Sequence, residues 1–279
     1  MGALGSRAVL TARDLEAVLV RLGLRPGGVA LVHAGLGALG YVVHGVDAVR
    51  LALGRVLGPE GTLLVPTFTG DCMDPSCWVD PALPVEMWNE VRDGMPFYDP
   101  RRTLPREMGA LSLSVALDPE ARRSGHPLAS YAALGPLAED LTREHELRDP
   151  FGRRSPLGRA LELDADVVLL GVDQTRNSAF YLAQCLAEVP AISRNRGAFL
   201  ANVDGERAWV TPERLPVCSE GFARIEDELT ARGLIRVARA GDGTCRLMRM
   251  GPLVSFLEHH LRLWPRSVAC DDPSCRQCA

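Results

Sequence analysis

Val167-Val168-Leu169-Leu170 contains no polar side chain and sits between Asp166 and Gly171. A strand with one face in water alternates apolar and polar residues. A continuous apolar run of this length suits a strand buried on both faces of a sheet. Val29-Ala30-Leu31-Val32-His33 and Thr62-Leu63-Leu64-Val65-Pro66 have the same character. Between those two lies a helical pattern over about 46–56, stopped by Gly58-Pro59. A β-loop-α-β order predicts parallel strands joined by a right-handed crossover, with helices covering both faces. The class that follows is α/β: one large domain around a mostly parallel or mixed central sheet flanked by helices.

Other segments fill in that frame. Residues 11–22 read as a helix capped by Thr11, with Leu15, Val18, Leu19 and Leu22 inward. Helices are expected at 108–117, 134–145, 157–163, 219–232 and 252–263. Phe199, Ala201 and Val203, then Ala208-Trp209-Val210, flank Asp204-Gly205, a β-hairpin signal. Strands are expected at 235–238 and 244–248. Residues 67–108 lack regular periodicity and are rich in Pro, Asp, Trp and Met. An excursion of that length in a compact domain is usually functional.

The 279 residues suffice for one large α/β domain or two smaller ones. No repeat or linker divides them, so one domain over 1–265 is expected, with a cysteine-containing tail at 266–279. The net charge of −4 offers no basic field for nucleic acid. Every basic residue is Arg, and without Lys neither a lysine Schiff base nor a lysine-dependent phosphate loop can be built. No apolar run approaches the ~20 residues of a membrane span. Nothing near residue 1 reads as a signal peptide, so a cytoplasmic protein is expected. The sequence sets no oligomeric state; a homodimer is one compatible assembly.

The strand at 167–170 leads into a polar loop, Asp173-Gln174-Thr175-Arg176-Asn177. Ser178 can then cap a helix whose apolar residues are Phe180, Ala183, Leu186 and Ala187. Strand, polar loop and capped helix is where α/β enzymes collect ligands. The side chains offered there are Asp173, Asn177, Tyr181 and Gln184; an ordinary βα turn fits the same pattern. Cys185 has no base placed beside it. Gly35, Gly37 and Gly40 match the spacing of a dinucleotide fingerprint, but no helix opens within them, and a tight turn is the alternative to a phosphate cradle. His126, in an Arg-flanked polar turn, is a candidate acid or base. His33 ends a buried strand and reads as a core histidine. His145, His259 and His260 are expected on polar helix faces, and His44 in solvent.

Cys72-Met-Asp-Pro-Ser-Cys77 is echoed by Cys270-Asp-Asp-Pro-Ser-Cys275, and Cys278 adds a C-x-x-C pair. Thiolates so spaced could hold Zn²⁺ tetrahedrally. C-x4-C is looser than the usual pair, and 72 lies far from 270. Thiols in a loop and a tail are therefore the favoured reading, and the sequence by itself assigns no metal.

In order, LVHAGLGALGYVVHG (31–45), GPEGTLLVPTFTGD (58–71), MPFYDPRRTLPREMGAL (95–111), RRSGHPLASYAALGP (122–136), DPFGRRSPLGRAL (149–161) and VVLLGVDQTRNSAFYLAQ (167–184) resemble the aminoglycoside N3-acetyltransferases, or antibiotic N-acetyltransferases, over about residues 10–265. The resemblance implies transfer of an acetyl group from acetyl-CoA to an amine. It puts CoA against the turn His33-Ala34-Gly35-Leu36 and near Ser155-Pro156. It puts the substrate in an acidic cleft bordered by Asp71 and Trp78. In the family pattern N-T-x-x-H-x-x-E the His is the general base. Here that segment reads Asn177-Ser178-Ala179-Phe180-Tyr181-Leu182-Ala183-Gln184, so Tyr181 and Gln184 replace the His and the Glu. Gly35 replaces the family Ser after the first strand, and Glu213 matches the downstream acid by spacing.

Three readings follow. In the first the protein is an amine acyltransferase, in antibiotic resistance or biosynthesis. Glu213 or His126 is then the base and Tyr181 a hydrogen-bond donor. The second uses a carrier-protein thioester, or hydrolysis, on the same scaffold. The third keeps the cleft for binding and has lost catalysis.

Overall fold

Within the three long apolar strands, successive residues fall into two different cores. Val29, Leu31, Leu64, Val167 and Leu169 join one buried cluster, and Ala30, Val32, Leu63, Val65, Val168 and Leu170 the other. That is the period-two alternation of a pleated strand with a hydrophobic layer on each side. Each buried aliphatic side chain contributes about 1.5–3 kcal/mol. A computed structural model describes residues 7–78, 82–189, 197–216, 218–275 and 278; Pro190 lies outside them.

The chain begins with β1 (Val9–Leu10), α1 (Ala12–Leu22), β2 (Val29–Ala34), β3 (Tyr41–Val42), α2 (Val46–Leu57) and β4 (Thr62–Pro66). Thr11 caps α1 in a full capping box with Asp14, as the sequence predicts. The excursion after β4 contains two 3-10 turns and α3 (Trp88–Gly94), and ends at α4 (Gly109–Ala116). Next come β5 (Arg122–Arg123), β6 (Tyr131–Leu134), α5 (Ala138–Thr142), α6 (Pro156–Glu162), β7 (Asp166–Leu170) and α7 (Ala179–Leu186). The hairpin β8 (Phe199–Val203) and β9 (Glu206–Val210) turns at Asp204 and Gly205, both at positive φ. The chain continues through α8 (Glu226–Ala231), β10 (Ile235–Ala240), β11 (Gly243–Arg249) and α9 (Met250–Leu263).

Among the described residues seven strands form the central sheet, in the order β10-β11-β7-β2-β4-β6-β5. β2 is parallel to both β4 and β7, and the outer pairings are antiparallel, so the sheet is mixed. Buried side chains of α1, α2 and α4 belong to one core; those of α5, α6, α7 and α9 belong to the other. The helix expected over 134–145 is replaced by the end of β6 and the short α5. Gly135, at φ +129°, packs against the backbone of Gly61 and Thr62 and breaks the pattern there.

Because β2, β4 and β7 run parallel, their carboxyl ends share one edge. The glycine turn after Ala34, the excursion after Pro66 and the polar loop after Leu170 therefore emerge side by side. β2 connects onward to β4 on one side, while β7 lies on its other side. Such a switch in direction opens a crevice where α/β proteins bind ligands.

Candidate active site

His33 is odd-numbered, like Leu31, and so faces the α7 side of the sheet. There its Nε2 accepts the Ser178 backbone N–H at 3.4 Å and lies 3.3 Å from the Ser178 hydroxyl. Burial holds His33 down to about 3, so it is a neutral ring whose Nε2 is an acceptor. Ser178 is 2% exposed, which bars a bulky acyl donor from its hydroxyl. The Tyr131 hydroxyl is buried beside Ser178. The buried groups at this end of the sheet are thus polar and neutral.

The loop after β7 turns inward rather than offering its side chains. Asn177 is fully buried; its amide N–H donates to Gln174 Oε1 at 2.9 Å and its Oδ1 accepts the Ala179 N–H at 3.1 Å. Asn177, expected to bind substrate, is instead the bracket that starts α7. It also takes the capping role expected of Ser178, whose side chain makes no cap bond. Asp173 accepts from the Thr175 N–H at 2.9 Å and from its hydroxyl, closing a 3-10 turn; it lines a separate surface hollow with Arg176 and Arg246.

Tyr181 follows on α7, with Phe151 at 4.9 Å and Phe222 at 5.5 Å between ring centroids. Burial pushes its phenol up to about 12, against the opposing pull of a hydrogen bond with Ser219. At neutral pH it is a donor, never a base. The Gln184 Oε1 is buried and unpartnered among the described residues. Below it Arg214 donates to the Cys185 carbonyl at 2.9 Å and pairs with Asp149, whose carboxyl burial pushes up. Burial also raises the Cys185 thiol, which is inert as a nucleophile.

Two expected bases fare differently. His126 is fully buried, and its Nδ1 accepts the Leu128 and Ala129 N–H groups, each at 3.1 Å. Its Nε2 donates to the Leu147 carbonyl at 3.3 Å. With both nitrogens engaged, and with burial and nearby His145 holding the ring well below its usual range, His126 is structural and cannot serve as the base. Glu213 is exposed; its N–H is bonded to the Arg148 carbonyl at 2.7 Å and its charge bears on Asp149 rather than on Tyr181. His145 leaves its expected polar helix face: its ring sits between the Ser124 hydroxyl and the Pro150 carbonyl, at 2.9 and 2.8 Å.

The excursion forms a cleft of about 980 Å³ whose walls include Asp71, Trp78, Met95, Phe97, Leu104 and Arg106. That is room for a drug-sized ligand. Asp71 pairs with Arg106 at 3.0 Å and Asp99 with Arg102 at 3.8 Å, so the lining carries both signs rather than the acidic surface expected. The Trp78 indole N–H donates to the Met73 carbonyl at 3.0 Å, which fixes its ring in the wall. Phe68, just before Asp71, touches Tyr131 at 5.3 Å and Phe151 at 5.5 Å. Phe151 in turn meets Tyr181 at 4.9 Å, so a row of rings leads from the start of the excursion to Tyr181.

The comparisons with known proteins agree with that architecture. Residues 31–262 match the family model described as aminoglycoside 3-N-acetyltransferase. The chain belongs to the aminoglycoside 3-N-acetyltransferase family. That is a family of enzymes. The prophage-derived aminoglycoside N(3')-acetyltransferase-like protein YokD of Bacillus subtilis is 33% identical over 249 residues, 89% of this chain and 91% of the relative. Its crystal structure superimposes with a TM-score of 0.84, over 90% of this chain and 93% of that one. Aminoglycoside N(3)-acetyltransferase VII of Streptomyces paromomycinus is 32% identical over 262 residues, 88% of each chain. A structure described as AAC-IIIb binary with CoASH superimposes with a TM-score of 0.79 at 27% identity, over 92% of this chain and 98% of that one.

Against the family pattern, the substitution at Gly35 has a local cause. A Cβ at Gly35 would come 2.8 Å from Val172 Cγ1 and 3.2 Å from the Gly171 carbonyl, so this neighbourhood has closed over the position of the family Ser. The Gly35 N–H is bonded to the Leu170 carbonyl at 2.8 Å and is unavailable to a phosphate. Ser155 caps α6, accepting the Gly158 N–H, with Pro156 in its first turn; Leu36 opens a 3-10 turn after Ala34. Ser219 and Phe222 emerge around Tyr181, and Asp149 beside Arg214 and Cys185, without having been singled out in the sequence. For Asp149 a signal existed in the DPFG segment at 149–152.

Proposed function

We propose that this chain is an acyl-CoA-dependent N-acyltransferase that acetylates an amine of an aminoglycoside-like molecule, with Tyr181 as a hydrogen-bond donor where the family pattern has its base. The observation that carries the reading is the cleft of about 980 Å³ formed by the excursion after β4, together with a phenol at 181 that stays protonated to about 12. CoA bound to the neighbour AAC-IIIb supports a CoA thioester as the donor. The name of the Streptomyces relative supports an aminoglycoside amine as the acceptor.

In this scheme the lone pair of the neutral amine attacks the thioester carbonyl carbon. The Tyr181 O–H stabilises the developing oxyanion. The C–S bond then breaks, and the CoA sulfur takes up a proton as the amine nitrogen loses one. Nothing beyond amide and free thiol is produced. Acceptor amines are largely ammonium near pH 7, so without a basic side chain at 181 deprotonation falls to solvent.

Thiol release from acetyl-CoA with a panel of aminoglycosides tests this. The rate is expected to rise with pH as the acceptor amine deprotonates, with no plateau set by an imidazole. In Tyr181→His an added titration near the histidine range, with a faster rate at pH 7, is expected. Absence of thiol release with every amine, while CoA still binds by calorimetry, would establish a silent binder instead. Release only from a carrier-protein thioester would replace the donor.

A further inference from the structure

The tail that follows α9 does not hang free of the domain. Its chain returns to the segment before α8, and four thiols meet there. The Sγ atoms of Cys218, Cys270, Cys275 and Cys278 all lie within 4.8 Å of one another. Four sulfurs about 2.3 Å from a central ion stand roughly 3.8 Å apart at the corners of a tetrahedron. A cluster this tight from two remote segments has the donor set and scale of a structural four-thiolate site. Zn²⁺, borderline-soft and without redox chemistry, suits four thiolates better than any hard cation.

We propose that Cys218, Cys270, Cys275 and Cys278 bind one Zn²⁺ that fastens the tail to the wall of the active site. The backbone around the sulfurs is already arranged for it. The Cys270 N–H donates to Cys278 Sγ at 3.4 Å, as amides do to metal-bound thiolates. The Cys275 N–H is bonded to the Asp272 carbonyl at 3.2 Å and the Cys278 N–H to the Cys275 carbonyl at 3.1 Å, two turns that bring their sulfurs together. Arg266 donates to the Cys278 carbonyl at 2.6 Å. Arg224, in the turn after Cys218, holds the Ala269 carbonyl and pairs with Asp271. At Gly221 a Cβ would fall 2.3 Å from the Val268 carbonyl oxygen and 2.4 Å from that of Ala269, so only glycine lets the two segments lie this close.

The set corrects the one suggested by spacing. Cys72 and Cys77 belong to the excursion: Cys72 is buried in the cleft wall, and Cys77 Sγ sits beside Gly197 and 3.8 Å from the Ser76 hydroxyl. Cys218 takes their place. The consequence for the site runs through Phe222, which stacks on Phe180 at 4.6 Å and meets Tyr181 edge-on at 5.5 Å. Zn²⁺ at the four thiols would brace the residue that backs Tyr181 without touching substrate.

The test is metal analysis of the full chain purified without a polyhistidine tag. About one zinc per chain is expected, released by a thiol-blocking mercurial and detected with a metallochromic dye. Cobalt reconstitution should give the intense visible bands of tetrahedral thiolate coordination. Cys275→Ser and Cys278→Ser are expected to lower the zinc content at least about tenfold, while Cys72→Ser/Cys77→Ser keeps it. Should the tail variants fail to fold, chelation of the wild-type protein is the second measurement. It should strip zinc and lower the melting temperature while thiols become reactive. Less than about 0.1 zinc per chain, iron in its place, the four cysteines recovered as two disulfides, or zinc retained in both tail variants would each overturn the proposal.

Discussion

The two ends of β7 solve opposite electrostatic problems. At its amino end Asp166 is fully buried as a charge, held by Arg25 through backbone and guanidinium N–H groups at 3.1–3.2 Å and by Arg249 at 2.9 Å. At its carboxyl end a few residues on, His33, Gln174, Asn177 and Ser178 are equally buried but neutral, and bonded mostly to one another. Charge that must be fastened sits at the edge away from the cleft. The edge that carries the polar loop and α7 keeps neutral hydrogen-bonding groups buried instead. The difference teaches that stability and chemistry are segregated along a single strand, and it can be attacked from either end.

The largest effect is expected at the carboxyl end. Removing one oxyanion donor typically lowers turnover about 10²–10³-fold, and Tyr181→Phe should do so with the melting temperature nearly unchanged. Equal turnover in the two proteins would strip Tyr181 of any role in the reaction. At the amino end, Asp166→Ala should lower unfolding free energy by about 2–3 kcal/mol in a urea titration. That is less than for fully buried partners, because the Arg25 and Arg249 side chains are 33% and 38% exposed and can be hydrated. Turnover per folded molecule should hold; a parallel loss of turnover would show that the two ends are not independent.

Asn177→Ala is expected to cost about 1–3 kcal/mol by removing the partner of the Ala179 N–H and of the Gln174 Oε1. Because it loosens the start of α7, turnover should fall with it, unlike in Asp166→Ala. The most gradual effect is the slope of stability with pH. His33 and His145 are held down to about 3 and about 4 by burial, below the 6.5 of an exposed ring. The unfolded chain therefore takes up protons first as pH falls from 6.5, and the folded state loses up to about 1.4 kcal/mol per pH unit for each ring. Stability is complete above pH 6.5 and should decline steadily towards pH 5. A flat urea midpoint across that window would contradict the burial of both rings.

Much of the frame was legible because it rests on local patterns. Unbroken apolar runs marked β2, β4 and β7, Thr11 marked α1, and Asp204-Gly205 marked the β8–β9 turn. Family membership, too, could be read from the ordered segments. What failed did so where burial decides a polar residue's fate. Asn177 and His126 look like site residues in sequence, since polar loops usually face water. Here their side chains point inward to satisfy backbone groups that the turns leave open. β6 was hidden because it is only four residues long, Tyr131–Leu134, and only its pairing with β4 and β5 makes it a strand. Cys218 had no spacing rule linking it to the tail; tertiary packing alone brings it there.

The strand order has a consequence in time as well as in space. β7 carries the start of the site, yet one of its two edges is covered only by β11, Gly243–Arg249, which itself is flanked by β10. During synthesis β7, its polar loop and α7 leave the ribosome well before the strand that will shield them. Until residue 249 has emerged, the nascent protein presents a hydrophobic strand edge able to pair with other chains. Closing the sheet, and with it the crevice for ligand, thus waits on residue 249, which makes the interval before β11 emerges the one in which a chaperone's protection would matter most.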